Sequence, residues 1–345
     1  MQRLPQYSNE NSYNKLKVND MRVAINGFGR IGRMTLRALQ DKPEIEVVAI
    51  NDLADISTLT HLFKYDTAHG RFEGPVNSDQ DALVINGRRI QFFSERGPEK
   101  LPWKDLAIDV VIESTGHFTD KVSAQAHIDA GAQKVLITAP ASGGVKTIVH
   151  GVNDDIIGGD QIYSTASCTT GCIAPILAIL EREFGIESGF MVTVHAFTAD
   201  QNLQDAPHKD LRRARAASYS IIPTTTGAAK AIGDVLPSLK GKMDGYSYRV
   251  PVIDASIADL SINLKKEVTA AELNDLFKSY AKGAMNGILE YTEEPFVSAD
   301  ILGNTHSSIV DGSLTKAQGK LVKVVSWYDN EVGISHRIAE LVSLL

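Results

Sequence analysis

The run Asn26-Gly27-Phe28-Gly29-Arg30-Ile31-Gly32 follows directly on the β-prone stretch Arg22–Asn26 and leads directly into a helical pattern reaching about Gln40. Glycines at this spacing allow a tight strand-to-helix turn and close backbone approach, and the free N–H groups of the helix start then face any anion lying across the turn. The run therefore requires a parallel α/β sheet with a phosphate-bearing ligand at the end of its first strand. A second strand, Val47–Asn51, ends at Asp52, about 20 residues beyond Gly32, the spacing at which a carboxylate meets both hydroxyls of an adenosine ribose. The same carboxylate would repel a 2′-phosphate, so NAD is the expected cofactor and NADP is disfavoured.

The alternation continues with a helix near Ile56–Phe63 and strands at Val110–Ser114 and Lys134–Thr138, the pattern of a doubly wound parallel sheet. Between Gly70 and Leu101 it is broken by Ala82–Ile85, which turns through Asn86-Gly87 into Arg89–Phe93 and predicts an inserted antiparallel hairpin. Past Cys168 the pattern changes. A helix over Ile173–Phe184, a strand over Phe190–Ala196, a long loop through Lys209–Ser220 and strands at Tyr246–Pro251, Ala258–Lys265 and Leu321–Tyr328 predict an α+β half with a mostly antiparallel sheet. A chain of 345 residues exceeds what one core usually serves, so two domains are expected. The boundaries read as 21–167 for cofactor binding and 168–330 for catalysis. Ile334, Ile338, Leu341 and Leu345 recur at helical spacing, and the segment 331–345 is expected to pack back on the first domain. Residues 1–20 are polar, lack apolar periodicity and read as a disordered or loosely docked extension.

Composition narrows the partners. A net charge of −7 and a pI near 5.7 disfavour nucleic acid and anionic membrane surfaces, leaving room for local cationic pockets that hold small phosphates. With two cysteines, no long apolar run and no signal-peptide pattern, the expectation is a cytoplasmic protein with reduced thiols and no disulfide framework.

One of those thiols sits in Ser164-Thr165-Ala166-Ser167-Cys168-Thr169-Thr170, where strand-like sequence gives way to a helix start, and His195 follows in Val-Thr-Val-His-Ala. Unpaired N–H groups and the positive end of a helix dipole favour a thiolate there, and a protonated histidine nearby would lower the thiol pKa further. Cys168 is thus a candidate nucleophile and His195 its candidate base.

These blocks, with Ser114-Thr115-Gly116, His208–Arg215, Ile221–Lys230, Arg249-Val250-Pro251 and Trp327-Tyr328-Asp329-Asn330-Glu331, resemble the phosphorylating glyceraldehyde-3-phosphate dehydrogenase family from about Arg22 to the C-terminus. The resemblance implies a Rossmann domain followed by a catalytic domain, usually assembled as a homotetramer. It implies that Cys168 attacks the aldehyde carbon to give a thiohemiacetal, that His195 takes the hydroxyl proton as hydride leaves for the nicotinamide, and that inorganic phosphate releases an acyl phosphate from the resulting thioester. Cofactor contacts are implied for Gly27, Phe28, Gly29, Arg30, Ile31, Gly32, Asp52, Arg96, Ser114, Thr115, Gly116, Thr138 and Asn330, the last on the carboxamide. The phosphate of a small phosphorylated aldehyde would meet Thr198 and Arg249, with Asp200 orienting Arg249. The attacking inorganic phosphate would meet Ser167, Thr169, Thr226, Gly227 and Arg213, hydroxyl, N–H and guanidinium donors of the kind a phosphate needs. Arg212 and Arg215 read as solvated or interface-pairing residues, Cys172 as a small buried one, and no metal site is expected.

Some positions depart from the family pattern. Gly171 stands where an Asn usually follows Cys-Thr-Thr, Val332 where a Trp follows Asn-Glu, and Ile334 where a Tyr near the nicotinamide is common. Pro175 lies too deep in the expected helix for an N1 proline, so the helix either kinks there or tolerates a missing bond. Two other functions stay open: an erythrose-4-phosphate dehydrogenase, which releases acid through water, and a catalytically weak relative kept for binding or regulation.

Overall fold

The computed structural model describes residues 21–345, and the N-terminal extension lies outside them. Among the described residues the first half forms a nine-stranded sheet in which seven neighbouring strands run parallel, from Lys146–Thr147 at one edge through Met21–Asn26 to Arg88–Phe93. The expected hairpin is present, with Asn86 and Gly87 both at positive φ, as its two-residue turn requires. It is more than an insertion. Its second strand, Arg88–Phe93, pairs parallel with Ile45–Asn51 and so extends the sheet.

Alternation along Met21–Asn26 explains how both faces are buried. Val23 and Ile25 pack beneath the helix Arg30–Leu39 and the C-terminal helix Val332–Leu344, while Ala24 faces Trp103, Val111 and Val135 on the other side. Ile334, Ile338 and Leu341 lie in the first of these clusters, with Leu345 packed against it, so the chain's last helix packs on its first sheet.

The second sheet runs in the order Ile222–Thr225, Met243–Val250, Ile186–Ala196, Ser256–Leu264, Leu321–Tyr328, Ser308–Asp311, Leu289–Thr292. It is mainly antiparallel, with two parallel pairings, Ile186–Ala196 on Met243–Val250 and Leu289–Thr292 on Ser308–Asp311. The first of these matters for the site, because it sets His195 directly beside Arg249. Against the sheet lies the helix Cys168–Glu183, whose Ile173, Ile176, Leu177 and Leu180 are fully buried among Met191, Leu260, Ile262 and Val324. It runs as one helix through Pro175.

The helices Lys121–Asp129, Ala228–Val235 and Ala270–Lys282 lie beyond the sequence expectations. The last carries a reciprocal capping box between Thr269 and Glu272, a signal present in the sequence.

Candidate active site

The candidate nucleophile Cys168 is presented by a sharp reversal. After the strand Ile162–Ser164, Ala166 takes up φ of 64°, a left-handed conformation uncommon for a residue with a Cβ, while wholly buried. Its N–H donates to Ser164 Oγ at 3.1 Å. Ser167 then caps the helix, its Oγ accepting from the Thr170 N–H at 3.1 Å, and Cys168 occupies the first helical position. The helix therefore begins at Cys168 rather than at Ile173, because a polar cap starts it before apolar periodicity becomes visible.

Cys168 Sγ lies 3.4 Å from His195 Nε2. The imidazole is 2 % exposed, and its Nδ1 lies 2.7 Å from the Ala196 carbonyl; in the tautomer that donates Nδ1–H there, Nε2 is the acceptor facing the thiol. Arg249 crowds the same ring: its Nη1 is 2.7 Å from Nδ1 and donates to the Ala196 carbonyl at 3.2 Å. Burial, then the Arg249 charge, push His195 down to about 3, so the ring is neutral near pH 7. Burial also pushes the Cys168 thiol up, against the pull of Arg249 and the Thr169 N–H. These shifts disfavour the expected imidazolium–thiolate pair and favour a neutral thiol facing a neutral imidazole, desolvation outweighing the helix terminus at Cys168 and adding to the Arg249 charge at His195.

Arg249 accounts for a second correction. Asp200 does not orient it. The Asp200 carboxylate instead pairs with the Arg213 guanidinium and lies 3.5 Å from His208, while Arg213 also donates to the Thr225 carbonyl at 3.2 Å. The reason is sheet register: Arg249 and His195 are cross-strand partners, so their side chains share a face. Thr198 is held by Gln201, whose Oε1 accepts from the Thr198 N–H at 2.9 Å and from its hydroxyl at 3.2 Å. Gln201 is buried and was not anticipated; its only signal is its place three residues after Thr198.

Thr169 shows a similar split between side chain and backbone. Its hydroxyl meets Tyr328 OH at 2.9 Å, and Tyr328 OH meets Thr193 Oγ1 at 2.8 Å, so an anion would find the Thr169 N–H rather than its hydroxyl. The Tyr328 ring packs edge-on to His195 at 5.9 Å, which makes it an unanticipated wall of the site. Thr226 accepts from the Ala228 N–H at 3.2 Å and, with Gly227, starts the helix Ala228–Val235.

The cofactor side is more complete. Strand ends Asn26, Asn51, Glu113 and Ile137 lie in register along one edge of the first sheet, where open α/β sheets receive ligands. A 470 Å3 cleft there is lined by Gly27, Gly29, Asp52, Arg96, Ser114 and Thr115 among others. The three glycines differ in a telling way. A Cβ on Gly27, at φ of 91°, would strike the Thr115 N at 2.6 Å, and one on Gly32 would strike the Gly27 carbonyl at 2.2 Å, whereas one on Gly29 would meet only open space. Protein packing dictates two of the glycines; room for a pyrophosphate explains the third, so the cleft fits a dinucleotide. Asp52 accepts from the Phe28 N–H at 2.7 Å and the Ala54 N–H at 2.9 Å, tying its carboxylate to the glycine turn.

Other predicted cofactor residues act by supporting this turn. Ser114 Oγ donates to the Gly27 carbonyl at 2.6 Å, Thr115 Oγ1 donates to Glu113, and Thr138 Oγ1 donates to the Glu113 carbonyl at 3.2 Å. The Phe28 ring is buried against Phe63, and Ile31 packs against the same core. Gly116 is left-handed, at φ of 75°. Arg30 is not aimed at a phosphate: its guanidinium is bound by Asp66 and Glu331, two carboxylates that outcompete an open cleft. Beneath the turn lies an unanticipated buried network. The Trp103 indole can only donate, so His127 Nδ1 accepts from it at 3.0 Å and His127 Nε2–H donates to Glu113 at 3.0 Å; Glu113 also accepts from Asn26 at 2.5 Å. Asn330 Oδ1 accepts from Ser256 Oγ at 2.6 Å, which leaves its NH2 group for a carboxamide oxygen. Ile334 is buried in the first core, and Val332 lines a separate 420 Å3 cavity.

Comparison with known proteins agrees with this geometry. Residues 21–121 match the family model described as the glyceraldehyde 3-phosphate dehydrogenase NAD binding domain, and residues 167–330 match its C-terminal domain. A glyceraldehyde-3-phosphate dehydrogenase of Mycobacterium avium is 54 % identical over 333 residues, covering 94 % of this chain and 98 % of the relative. One of Geobacillus stearothermophilus is 52 % identical over 328 residues with the same coverage, and glyceraldehyde-3-phosphate dehydrogenase 2 of Bacillus subtilis is 52 % identical over 325 residues, covering 93 % and 96 %.

Proposed function

The chain belongs to the glyceraldehyde 3-phosphate dehydrogenase family and is an NAD-dependent oxidoreductase acting on an aldehyde, and we propose that Cys168 and His195 carry its chemistry. Its reaction is the phosphorylating oxidation of glyceraldehyde 3-phosphate to 1,3-bisphosphoglycerate. The observation that carries the assignment of roles is the 3.4 Å approach of Sγ to Nε2 at the start of a buried helix.

With Nδ1–H fixed on the Ala196 carbonyl, Nε2 accepts the thiol proton as sulfur attacks the aldehyde carbon, and the proton passes to the new hydroxyl of the thiohemiacetal. Bound NAD supplies the acceptor for the hydride that then leaves this carbon. His195 takes the hydroxyl proton in the same step, and a thioester on Cys168 results. Attack by inorganic phosphate breaks the carbon–sulfur bond, releases the acyl phosphate and leaves a thiolate that recovers the proton from His195. Water must be kept from the thioester for phosphate to win, a task suited to a sulfur walled by Tyr328 and by the buried first turn.

Arg249 and Thr198 hold the phosphate of the substrate in this reading. Drawing Arg249 onto that phosphate removes its charge from His195, so substrate binding itself raises the basicity of the ring. Ser167, the Thr169 N–H, Thr226, Gly227 and Arg213 receive the attacking phosphate, with Asp200 positioning Arg213. Gly27, Gly29, Gly32, Asp52, Arg96 and the turn Ser114–Gly116 hold the dinucleotide, and Asn330 orients its carboxamide. Residues 21–167, completed by 331–345, form the cofactor domain, and 168–330 the catalytic domain. A homotetramer is supported by exposed Leu203, Leu211, Tyr219 and Ile221 in the segment after Ala196, apolar side chains suited to a partner subunit. A cytoplasmic setting is supported by the need for a free thiol at Cys168. Among the described residues no helix is long and apolar enough to cross a membrane.

The test is the initial rate of NADH formation with glyceraldehyde 3-phosphate and with erythrose 4-phosphate, each with and without inorganic phosphate, with Cys168→Ser as the blank. Phosphate-dependent turnover of the triose that Cys168→Ser abolishes is the expected result. Phosphate-independent preference for the tetrose, or turnover surviving in Cys168→Ser, would overturn it.

A further inference from the structure

A second histidine is surrounded more elaborately than the one at the nucleophile. His69 follows the helix Ile56–Lys64, on the turn between the short strands Tyr65–Asp66 and Gly70–Arg71, and its side chain is 6 % exposed. Its Nε2 lies 2.9 Å from Asp254 Oδ2 and 3.1 Å from Asp329 Oδ2, and its Nδ1 lies 3.3 Å from Asp66 Oδ1 and 3.6 Å from Glu331 Oε2. Both ring nitrogens thus face carboxylate oxygens, Nδ1 within ion-pair range of Asp66 and Glu331 without a hydrogen bond to either, and since an ionised carboxylate can only accept, these surroundings favour a ring that carries both protons. Nε2–H is hydrogen-bonded to Asp329 Oδ2, whereas Asp254 Oδ2, buried and without a hydrogen-bond partner, is held beside the ring by charge. Burial opposes the charge, but the carboxylates overcome it and hold the imidazole up to about 11. Arg30 binds Asp66 and Glu331 from the other side, and Arg37, Asp41 and His336 share with His69 the lining of the 420 Å3 cavity.

The arrangement joins the two halves of the molecule. His69, Asp66 and Arg30 come from the first half, whereas Asp254, Asp329 and Glu331 follow strands of the second sheet. What the cation holds on that side bears on the cofactor. Asp329 Oδ1 accepts from the N–H groups of Glu331 and Val332 at 2.9 and 2.7 Å, and its Oδ2 from the Gly303 N–H at 2.8 Å, which folds the turn bearing Asn330 into the start of the C-terminal helix. Asp254 Oδ1 accepts from the Ala255 N–H at 2.7 Å, with Ala255 left-handed at φ of 70°. The next residue, Ser256, donates its hydroxyl to Asn330 and accepts from the Ala196 N–H at 3.1 Å. The two carboxylates beside His69 Nε2 therefore belong to the turns that flank the Ser256–Asn330 hydrogen bond on its two segments, one step from the backbone that anchors His195.

We propose that His69 is a positioning residue of this dehydrogenase: a buried cation that locks the Asp254 and Asp329 turns together and so fixes the Asn330 amide against the nicotinamide carboxamide. The proposal rests on the reading of Asn330 given under Proposed function. A ring held by its carboxamide offers one face to substrate; a loosened Asn330 lets the ring turn over. Without the cation Asp254, already pushed up to about 7 by burial and by Asp329, would take up a proton, and the geometry that the two carboxylates impose on the Ser256–Asn330 contact would change.

The experiment compares His69→Gln, Asn330→Ala and the double variant in the full-length enzyme. The readouts are KM for NAD, kcat, and the face of the nicotinamide that receives label from 1-deuterated glyceraldehyde 3-phosphate. Expected for His69→Gln is a rise of about tenfold in KM for NAD, the scale of one lost charge-assisted hydrogen bond, together with label on the wrong face and no further loss in the double variant beyond Asn330→Ala. Iodoacetamide labelling of Cys168 without cofactor should keep its wild-type rate, which separates positioning from general unfolding. If Asn330→Ala is impaired but His69→Gln keeps normal KM and full stereospecificity, or if the two defects multiply, the proposal fails while the reading of Asn330 stands. If Asn330→Ala leaves KM and stereospecificity unchanged, the reading of Asn330 fails and takes the proposal with it. Asp254→Asn, which keeps the cation and Asp329, serves where His69→Gln does not fold, and should shift KM and face selectivity in the same direction by a smaller factor; no shift overturns the proposal.

Discussion

His195 and His69 are both buried imidazoles, and the molecule keeps them in opposite charge states. Loss of water opposes a proton on either ring, so burial alone would leave both neutral. Neighbours decide the outcome. His195 has an arginine at its Nδ1 and no carboxylate in contact, and is pushed down to about 3; His69 is ringed by four carboxylates and is held up to about 11. The linkage signs are opposite as well. A group lowered on folding contributes nothing to the pH dependence above its unfolded value near 6.5, and its neutral burial costs stability as pH falls from there toward 3. A group raised on folding contributes stability that is complete below about 6.5 and is lost as pH rises through about 11. One region trades stability for a base that can move a proton; the other uses a proton that does not move to bind two halves of the chain.

The largest effect that could break this contrast comes from removing the proposed base, His195. His195→Asn should lower kcat by about 10²–10⁴-fold, the usual contribution of a general base, with a midpoint of thermal unfolding within a few degrees of wild type. His69→Gln should reverse the order of effects. Leaving buried carboxylates without their cation costs about 3–5 kcal/mol in comparable cases, so the unfolding midpoint should fall clearly while kcat changes far less. Steady-state rates and calorimetry on the two variants decide the matter. If His195→Asn were the less stable protein and His69→Gln the less active one, the division of labour argued from their neighbours would be wrong.

A smaller effect sharpens the account of His195. Its depressed pKa has two causes, burial and the Arg249 charge, and only the second can be removed without opening the site. In Arg249→Ala the imidazole should move up toward its ordinary value by about 1–3 units. The acid limb of the kcat/KM profile measured with unphosphorylated glyceraldehyde should then shift to higher pH. With glyceraldehyde 3-phosphate the wild-type enzyme should already show the higher limb in its kcat profile, since the substrate phosphate would draw Arg249 away. An unchanged acid limb in Arg249→Ala would assign the whole depression to burial.

How far each region could be read in the sequence follows the same divide. The glycine turn and Asp52 were legible because their roles are set by a few consecutive residues and one strand length: Gly27 and Gly32 are dictated by contacts within the turn, and Asp52 follows from where Ile45–Asn51 ends. Cys168 and His195 were legible as a pair, but not their protonation. That depends on Arg249, which is brought to the ring by a parallel pairing of Ile186–Ala196 with Met243–Val250 that no local pattern encodes. Asp200 was misassigned for the same reason. Ala166 left no trace, since an alanine gives no warning of a positive φ. His69 could not be singled out from its own segment, because its Nε2 neighbours Asp254 and Asp329 arrive from far along the chain.

Gly171 offers the smallest test and bears on whether the chemical centre depends on compliance while the junction depends on rigidity. It sits in the first turn of the helix Cys168–Glu183, three residues from the nucleophile, with its N–H donating to the Ser167 carbonyl at 2.8 Å. Its carbonyl is the one that Pro175, lacking an N–H, leaves without a helical donor. A Cβ built there meets nothing within 4 Å, and its φ is not left-handed, so alanine can be added without displacing a neighbour. Gly171→Ala should therefore stabilise the protein by about 0.5–1 kcal/mol through helix propensity and the reduced freedom of the unfolded chain. Turnover and the rate of Cys168 alkylation should be unchanged, because the cap at Ser167 and the His195 contact do not involve position 171. Were the variant more stable but slower, glycine would be supplying motion to the first turn that the reaction uses, and the contrast with the locked His69 junction would become one of flexibility as well as charge. Were it less stable, the missing donor at Pro175 would have to be met by a movement of the turn that a methyl group prevents, and thermal unfolding alone would reveal it.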